Sequence, residues 1–302
     1  MLTYTTRRNL YGTLTNDTST ANLTLGDTLL EQGEREIASM QPWPFLEQDF
    51  SISTVASQQS YNLVPTIDKV LGVSLLVSTF RVTPKLAPTV QAWDQINSTT
   101  VTTSNYPEWY FVSNGQISFF PIPSETTANA ITVHARLKPI ALTKADYTTG
   151  TITTLAALGT AVTGSGTSWT AGMIGNWIRI TADNAANKGD GVWYQISAVG
   201  STTTLTISRP YQGVAIAAGA AAYTIGQSSV LPEAYDILPI YKACQQYFTS
   251  VQPMPGEADR FTAQYDNGIR MLKGAYGSRT NDVLIDTGDY GFPSNPNNAP
   301  TF

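Results

Sequence analysis

Charge is what this chain of 302 residues has least of. Only 13 % of them are Asp, Glu, Lys or Arg, about half the share common in globular proteins. An architecture made mostly of long helices with solvated charged faces is therefore excluded. There is one cysteine, Cys244, so no intrachain disulfide can form, and one histidine, His134, so no second imidazole is available for a metal pair. No apolar run approaches the roughly 18 residues that a membrane span needs. The first stretch, MLTYTTRRNL, lacks the apolar core of a signal peptide. Cytoplasmic synthesis without a membrane partner is the expectation. Basic residues number 17 against 22 acidic ones, for a net charge of −5. The clustered Lys and Arg of a dedicated nucleic-acid binder are thus missing as well. The one adjacent basic pair, Arg7–Arg8, reads as part of a solvated arm, with a partner contact as the alternative.

Thr, Ser, Asn, Gln, Gly and Ala stand where the charge is missing, a composition of strands and turns whose surfaces other subunits often cover. Residues 1–23 are polar, without a sustained period, and read as an extended arm. A helix is expected over about 24–40, with Leu25, Leu29 and Ile37 on one side and a capping-box spacing at Thr24 and Asp27. Glu31, Glu34 and Glu36 read as its wet face. The helix stops at PWPFL (42–46). Alternating runs follow, QSYNLV, VLGVSLLVST, EWYFVS, QISFFPIP and AITVHARL, with a hairpin signal at Ser113–Asn114–Gly115. They predict a β domain over 47–146, a meander or small barrel. Residues 147–229 form a second β block of short strands with small-residue loops at 156–161, 182–191 and 214–222, a sandwich or barrel in outline. Helical period returns after Val230, with Leu231–Pro232–Glu233 as a start signal and Pro239 predicting a kink or a late start. A second helix carries Phe261, Tyr265, Ile269, Leu272 and Tyr276 and stops at Gly277. Residues 277–302 have no period and read as another arm.

The fold expectation is α+β. A small helical bundle (24–46 with 230–276) carries a β domain (47–146) and an inserted β-sandwich or barrel-like domain (147–229), between arms at 1–23 and 277–302.

The search for chemistry returns bland readings. His134 sits alone in an alternating strand, and Cys244 falls on the apolar stripe of a helix, where buried thiols are common. GSGTSW (164–169) lacks the Lys and the following helix of a phosphate loop. Thr163 occupies the place where a nucleophile elbow would need Gly. Gly164 and Gly166 read instead as turn residues, and Trp169, Met173, Ile174, Trp177, Ile178 and Ile180 as core. In the loop 183–190, Ala185 and Lys188 break a calcium-loop spacing. Trp169, Trp177 and Trp193 leave open a sugar-stacking surface in the second β block. No catalytic, cofactor or metal residue is assigned.

The order of elements carries a resemblance. Trp43, Phe45 and Leu46 end the first helix. Then come EWYFVSNGQISFFPIP, a strand leading into KPIALT (138–143), and the two segments LPEAYDILPIYKACQQYF and ADRFTAQYDNGIRMLKGAY. In this order, over roughly 24–276, the chain resembles the head-to-tail adaptor proteins of tailed bacteriophages, including the tail tubular protein A type. It departs from them in about 80 extra residues between the β segment and the last helices. The resemblance implies a virion protein that works by assembly: a homo-oligomeric ring, usually a dodecamer, docked under the portal protein. Such a ring continues the DNA channel to the tail nozzle or tube and lets DNA pass without sequence-specific binding. Candidate partner contacts are Arg7 and Arg8 and, in the C-terminal arm, Asp289, Tyr290, Phe292 and Phe302. The arm is expected to order only on a partner. The alternative is a tail- or fibre-associated binding module whose inserted domain recognises a glycan or another virion protein.

Overall fold

The computed structural model describes residues 1–77, 79–98, 103–181 and 189–277, and the fold is mixed α+β. The first correction comes at once, because residues 4–14 are helical. Helix α1 (Tyr4–Leu14) starts at Thr3, whose side chain accepts from the Thr6 amide. Its apolar stripe is short, Leu10, Tyr11 and Leu14 in an otherwise polar segment, and packing holds it. Tyr11 is fully buried, its ring edge-on to Tyr247 at 6.2 Å and its hydroxyl donating to Asn22 Oδ1 at 3.1 Å. Helix α2 (Thr20–Ser39) begins four residues earlier than expected. Its cap is Ser19, and Thr24 lies inside the helix with its hydroxyl bonded back to the Thr20 carbonyl. Trp43 closes the far end, fully buried, with its indole N–H on the Ile37 carbonyl at 2.7 Å.

The first β region holds β1 (Glu47–Ile52), β2 (Ser60–Asn62), β3 (Ile67–Val77), β4 (Phe80–Val82), β5 (Lys85–Leu86), helix α3 (Val90–Asn97), β6 (Thr103–Ser104), β7 (Trp109–Ser113), β8 (Gln116–Phe120), β9 (Ile122–Pro123) and β10 (Ile131–Leu137). It is not a single meander. Two four-stranded sheets, ordered β1-β10-β3-β4 and β2-β8-β7-β5, share a core built on Ile117, Phe119, Ile131 and Val133. The local signal at Asn114–Gly115 does make the β7–β8 hairpin. The β1–β10 pairing joins the two ends of the region, a distant partnership that no local pattern encodes. Helix α3, capped by Thr89, was hidden within the β-type reading of this region.

The second β region is one seven-stranded antiparallel sheet. Its strands are β11 (Thr151–Leu155), β12 (Ala161–Ser165), β13 (Trp177–Ile180), β14 (Trp193–Ser201), β15 (Thr204–Ile207), β16 (Ile216–Ala221) and β17 (Tyr223–Gly226), in the order β16-β11-β12-β15-β14-β13-β17. The two edge strands are joined by the single residue Ala222, so the sheet curls round until its margins meet in one bent strand. Within 214–222, expected as a loop, residues 216–221 are therefore strand. The long β14 pairs with β13 at its start and with β15 further on, turning the corner. Inside lie Trp169, Ile178, Tyr194, Ile196 and Tyr223. Ile174, expected in this core, is 49 % exposed.

A short turn at Glu233–Tyr235 leads into α4 (Leu238–Ser250), so Pro239 marks a late start and sits in the first turn, where its missing N–H costs nothing. Helix α5 (Pro255–Tyr276) runs back against it, with Phe248 and Phe261 stacked at 5.9 Å. No helix among the described residues is long and apolar enough to cross a membrane.

Candidate functional site

The residues considered for chemistry lie apart. Cys244 is fully buried between Tyr11, Ile240 and Phe248, and burial pushes its thiol up to about 12. His134 stands on the other face of β10 from the core, its Nδ1 2.6 Å from Asp49. Three of the amides around GSGTSW are spent within the fold. Gly164 and Trp169 donate to Thr203 and Thr202, and Ser168 donates to the Tyr147 hydroxyl. Gly166 makes the turn with a φ of +66°. Trp169 is core, its indole N–H on the Tyr223 hydroxyl at 2.9 Å. Trp177 and Trp193 remain half-buried on the outer face of β13 and β14, where the Arg179 guanidinium lies 5.0 Å over the Trp193 ring. Among the described residues, no group of three His, Cys, Asp or Glu side chains is placed to hold a metal. Most of the loop 183–190, residues 183–188, lies outside them.

Polar groups concentrate instead where the chain passes between the helices and the second β region. Arg7 Nη1 meets Glu34 Oε2 at 3.0 Å, with both residues almost fully buried. Glu34 Oε1 also accepts from the Ser229 hydroxyl at 2.8 Å and the Val230 amide at 3.3 Å. Burying an ion pair repays its desolvation only when the remaining lone pairs are satisfied. These donors do that for Glu34, whereas Nε and Nη2 of Arg7 are buried without a hydrogen-bond partner; together the contacts tie α1 and α2 to the strand exit at 227–231. The sequence puts Glu34 on a wet face, since its helical neighbours Glu31 and Glu36 are charged, and the structure buries it. The partner that draws it inward comes from 27 residues away.

Asp236 is the second buried acid, 1 % exposed, taking the Leu2 amide on Oδ2 at 2.9 Å. Burial raises its carboxyl to about 7, against the lowering effect of that amide and of Arg7. A third passage of the chain is stitched in beside it. The Tyr4 amide donates to the Gln227 carbonyl at 2.9 Å, and the Gln227 side chain accepts from the Thr143 and Lys144 amides at 2.8 Å each. Thr3 Oγ1 donates to Asp146 at 2.7 Å. Gly226 permits this approach, because a Cβ there would fall 2.6 Å from the Thr3 methyl. The joint therefore fixes three passages of the chain, at 1–7, 143–147 and 226–236, in one polar knot. Its chemical capacity is mechanical coupling.

Of the proposed partner contacts, Arg7 is corrected. At 2 % exposure it offers no surface and belongs to the knot. Arg8 is partly exposed and pairs with Asp27 at 3.2 Å. Asp289, Tyr290, Phe292 and Phe302 lie outside the described residues. Sequence reading missed Glu34, Asp236 and Gln227. The one available signal was an Arg in a segment with no other reason to be ordered.

Comparison with known proteins adds the family. No curated protein matches the chain. A family model described as SU10 adaptor protein matches residues 3–158, just over half of the chain. The match takes in α1, α2, the whole first β region and β11. It starts earlier than the 24–276 of the resemblance, because α1 is part of the fold, and stops before α4 and α5. The chain thus belongs to the SU10 adaptor family and is a structural adaptor of the phage virion.

Proposed function

We propose that the protein is the ring subunit of a head-to-tail adaptor, docked on the portal protein and passing DNA on to the tail. The family match over 3–158 carries this reading. The polar knot supports it, since a subunit transmitting force between head and tail gains from modules that do not swing. The net charge of −5 fits an acidic channel that repels DNA and keeps it sliding. In this reading residues 147–229 are an insertion carried by the adaptor, and Asp289, Tyr290, Phe292 and Phe302 reach a partner. Electron microscopy of the purified protein with portals tests it, with twelve-fold rings as the expected result. Removing residues 278–302 is expected to abolish docking and leave the fold intact. Normal assembly of that truncated chain would refute the arm's role. A chain that forms no ring and binds no portal would refute the reading as a whole.

A second reading has one observation in its favour. Trp177 and Trp193 face outward on adjacent strands beside Arg179, an arrangement that stacks on sugar rings or on another virion protein. Trp169, being core, cannot take part. A glycan array with Trp177 and Trp193 replaced by Ala distinguishes the two, because only this reading expects a signal that the replacements remove.

A further inference from the structure

We propose, resting on the second reading above, that the outer face of β13 and β14 binds an acidic sugar, a uronate whose ring stacks on Trp177 and whose carboxylate meets Arg179. Strand alternation sets this face. Ile178, Ile180, Tyr194 and Ile196 point into the core, so Trp177 and Arg179 of β13 and Trp193 and Gln195 of β14 share the outside. The register puts Trp177 opposite Gln195 and Arg179 opposite Trp193. Thr224 of β17 lies beside Arg179, and Thr204 and Thr206 of β15 continue the same side. None of these positions carries an aliphatic side chain. Indoles set among hydroxyls and an amide offer stacking and hydrogen bonds, which a sugar ring uses, and little of the contiguous apolar area that seats a protein.

Charge selects an acid among sugars. Residues 147–229 carry three cations and two acids, a net +1 in a chain whose sum is −5. Arg179 is exposed and has no ion pair among the described residues. Its guanidinium is held over the Trp193 ring at 5.0 Å, so it is placed before a ligand arrives and keeps its fork of donors for a carboxylate. Arg209 is also exposed and without an ion pair among the described residues. It follows Ser208, whose amide donates to the Gln195 carbonyl at 2.8 Å, and so brings a second cation to the margin of the face. Asp190 is occupied by the Tyr194 hydroxyl and the Val192 amide. Trp177 and Arg179 stand two residues apart on one side of a strand, about 7 Å. That distance runs from the middle of a stacked pyranose ring, through a carboxylate on the ring, to a guanidinium that holds it. On the other flank Thr3 and Asp146 fill the place over Gly226, opposite Trp177. The sugar therefore extends along β13 toward Arg179 and away from the Asp146 carboxylate.

Titration of the tryptophan fluorescence of the full-length protein tests the proposal. The probes are oligomers of galacturonate, glucuronate and mannuronate, each beside its methyl ester. At least one uronate is expected to change the emission, and its ester, alike in shape but uncharged, to bind about tenfold more weakly. Arg179→Gln, at an exposed position, is expected to bring the uronate down to the level of its ester and to leave the ester unmoved. Trp177→Ala is expected to remove binding of both with an unchanged melting curve, and Trp177→Phe to keep it. No response to any of the three uronates overturns the proposal, and a virion protein captured through Trp177 would then be the occupant. An ester as strong as its acid, or an Arg179→Gln chain that weakens both alike, overturns the acid's role and leaves a neutral sugar, and with it the second reading, standing.

Discussion

The two β regions are of similar length and share a Thr-rich composition, yet they solve burial differently. The second closes one sheet on itself around fifteen buried residues, and its exposed large apolar side chains, Leu158, Ile174, Val192 and Val214, stand between strands. The first divides its strands among several small sheets around ten buried residues, and it carries Leu71, Phe80 and Leu86 exposed on the strands themselves. A closed sheet has few edges to protect and needs no neighbour to finish its core. A split one leaves apolar surface on its strands, which suits a part that is completed by assembly. The difference teaches which region is self-sufficient.

The largest expected effect breaks the self-sufficient region. Trp169→Ala empties the centre of the closed sheet and is expected to cost about 3–5 kcal/mol, read by calorimetry as a separate, earlier melting of that region. Close behind is Glu34→Ala, which leaves Arg7 buried without its partner at a cost of about 3–5 kcal/mol. It should uncouple the two β regions, so that one denaturation transition becomes two. Removing the more exposed partner in Asp68→Ala is expected to cost less than about 1 kcal/mol.

Asp236 sharpens the comparison through pH. Its carboxyl is raised in the folded state from 3.8 to about 7. Its contribution to stability is therefore complete below about pH 4 and is lost as pH rises through 7, a total of about 4 kcal/mol. Asp236→Asn should flatten stability over that window while leaving the acceptor for the Leu2 amide, which urea titrations between pH 4 and 8 would show. The smallest effect is expected from Phe80→Ser. Phe80 is 65 % exposed, so stability should change by less than about 0.5 kcal/mol. A larger loss in the isolated chain would mean that the first region does not leave this surface for others.

Much of this was legible because it is written locally. The Asn114–Gly115 hairpin, the stop at Gly277 and the late start at Pro239 each depend on a few adjacent residues and their backbone preferences. Glu34 and Asp236 were not legible, because a carboxylate is drawn inside only when a distant donor meets it. Nor could position alone tell Trp169 from Trp177. Both lie in one glycine-rich stretch, and only the curl of the sheet sends one inside and leaves the other on the outer face.

By itself, the sequence determined the α+β class, the alternation of helical and strand segments, and the order of elements that resembles the adaptors, since periodicity and turn chemistry act over a few residues. The tertiary structure alone decided that residues 4–14 are a helix and that Arg7 is a buried tie, not a solvated arm. A mostly polar segment with so short a stripe has no preference strong enough to fold alone, and its helix exists because Tyr11 and Arg7 find partners that the rest of the chain brings to them.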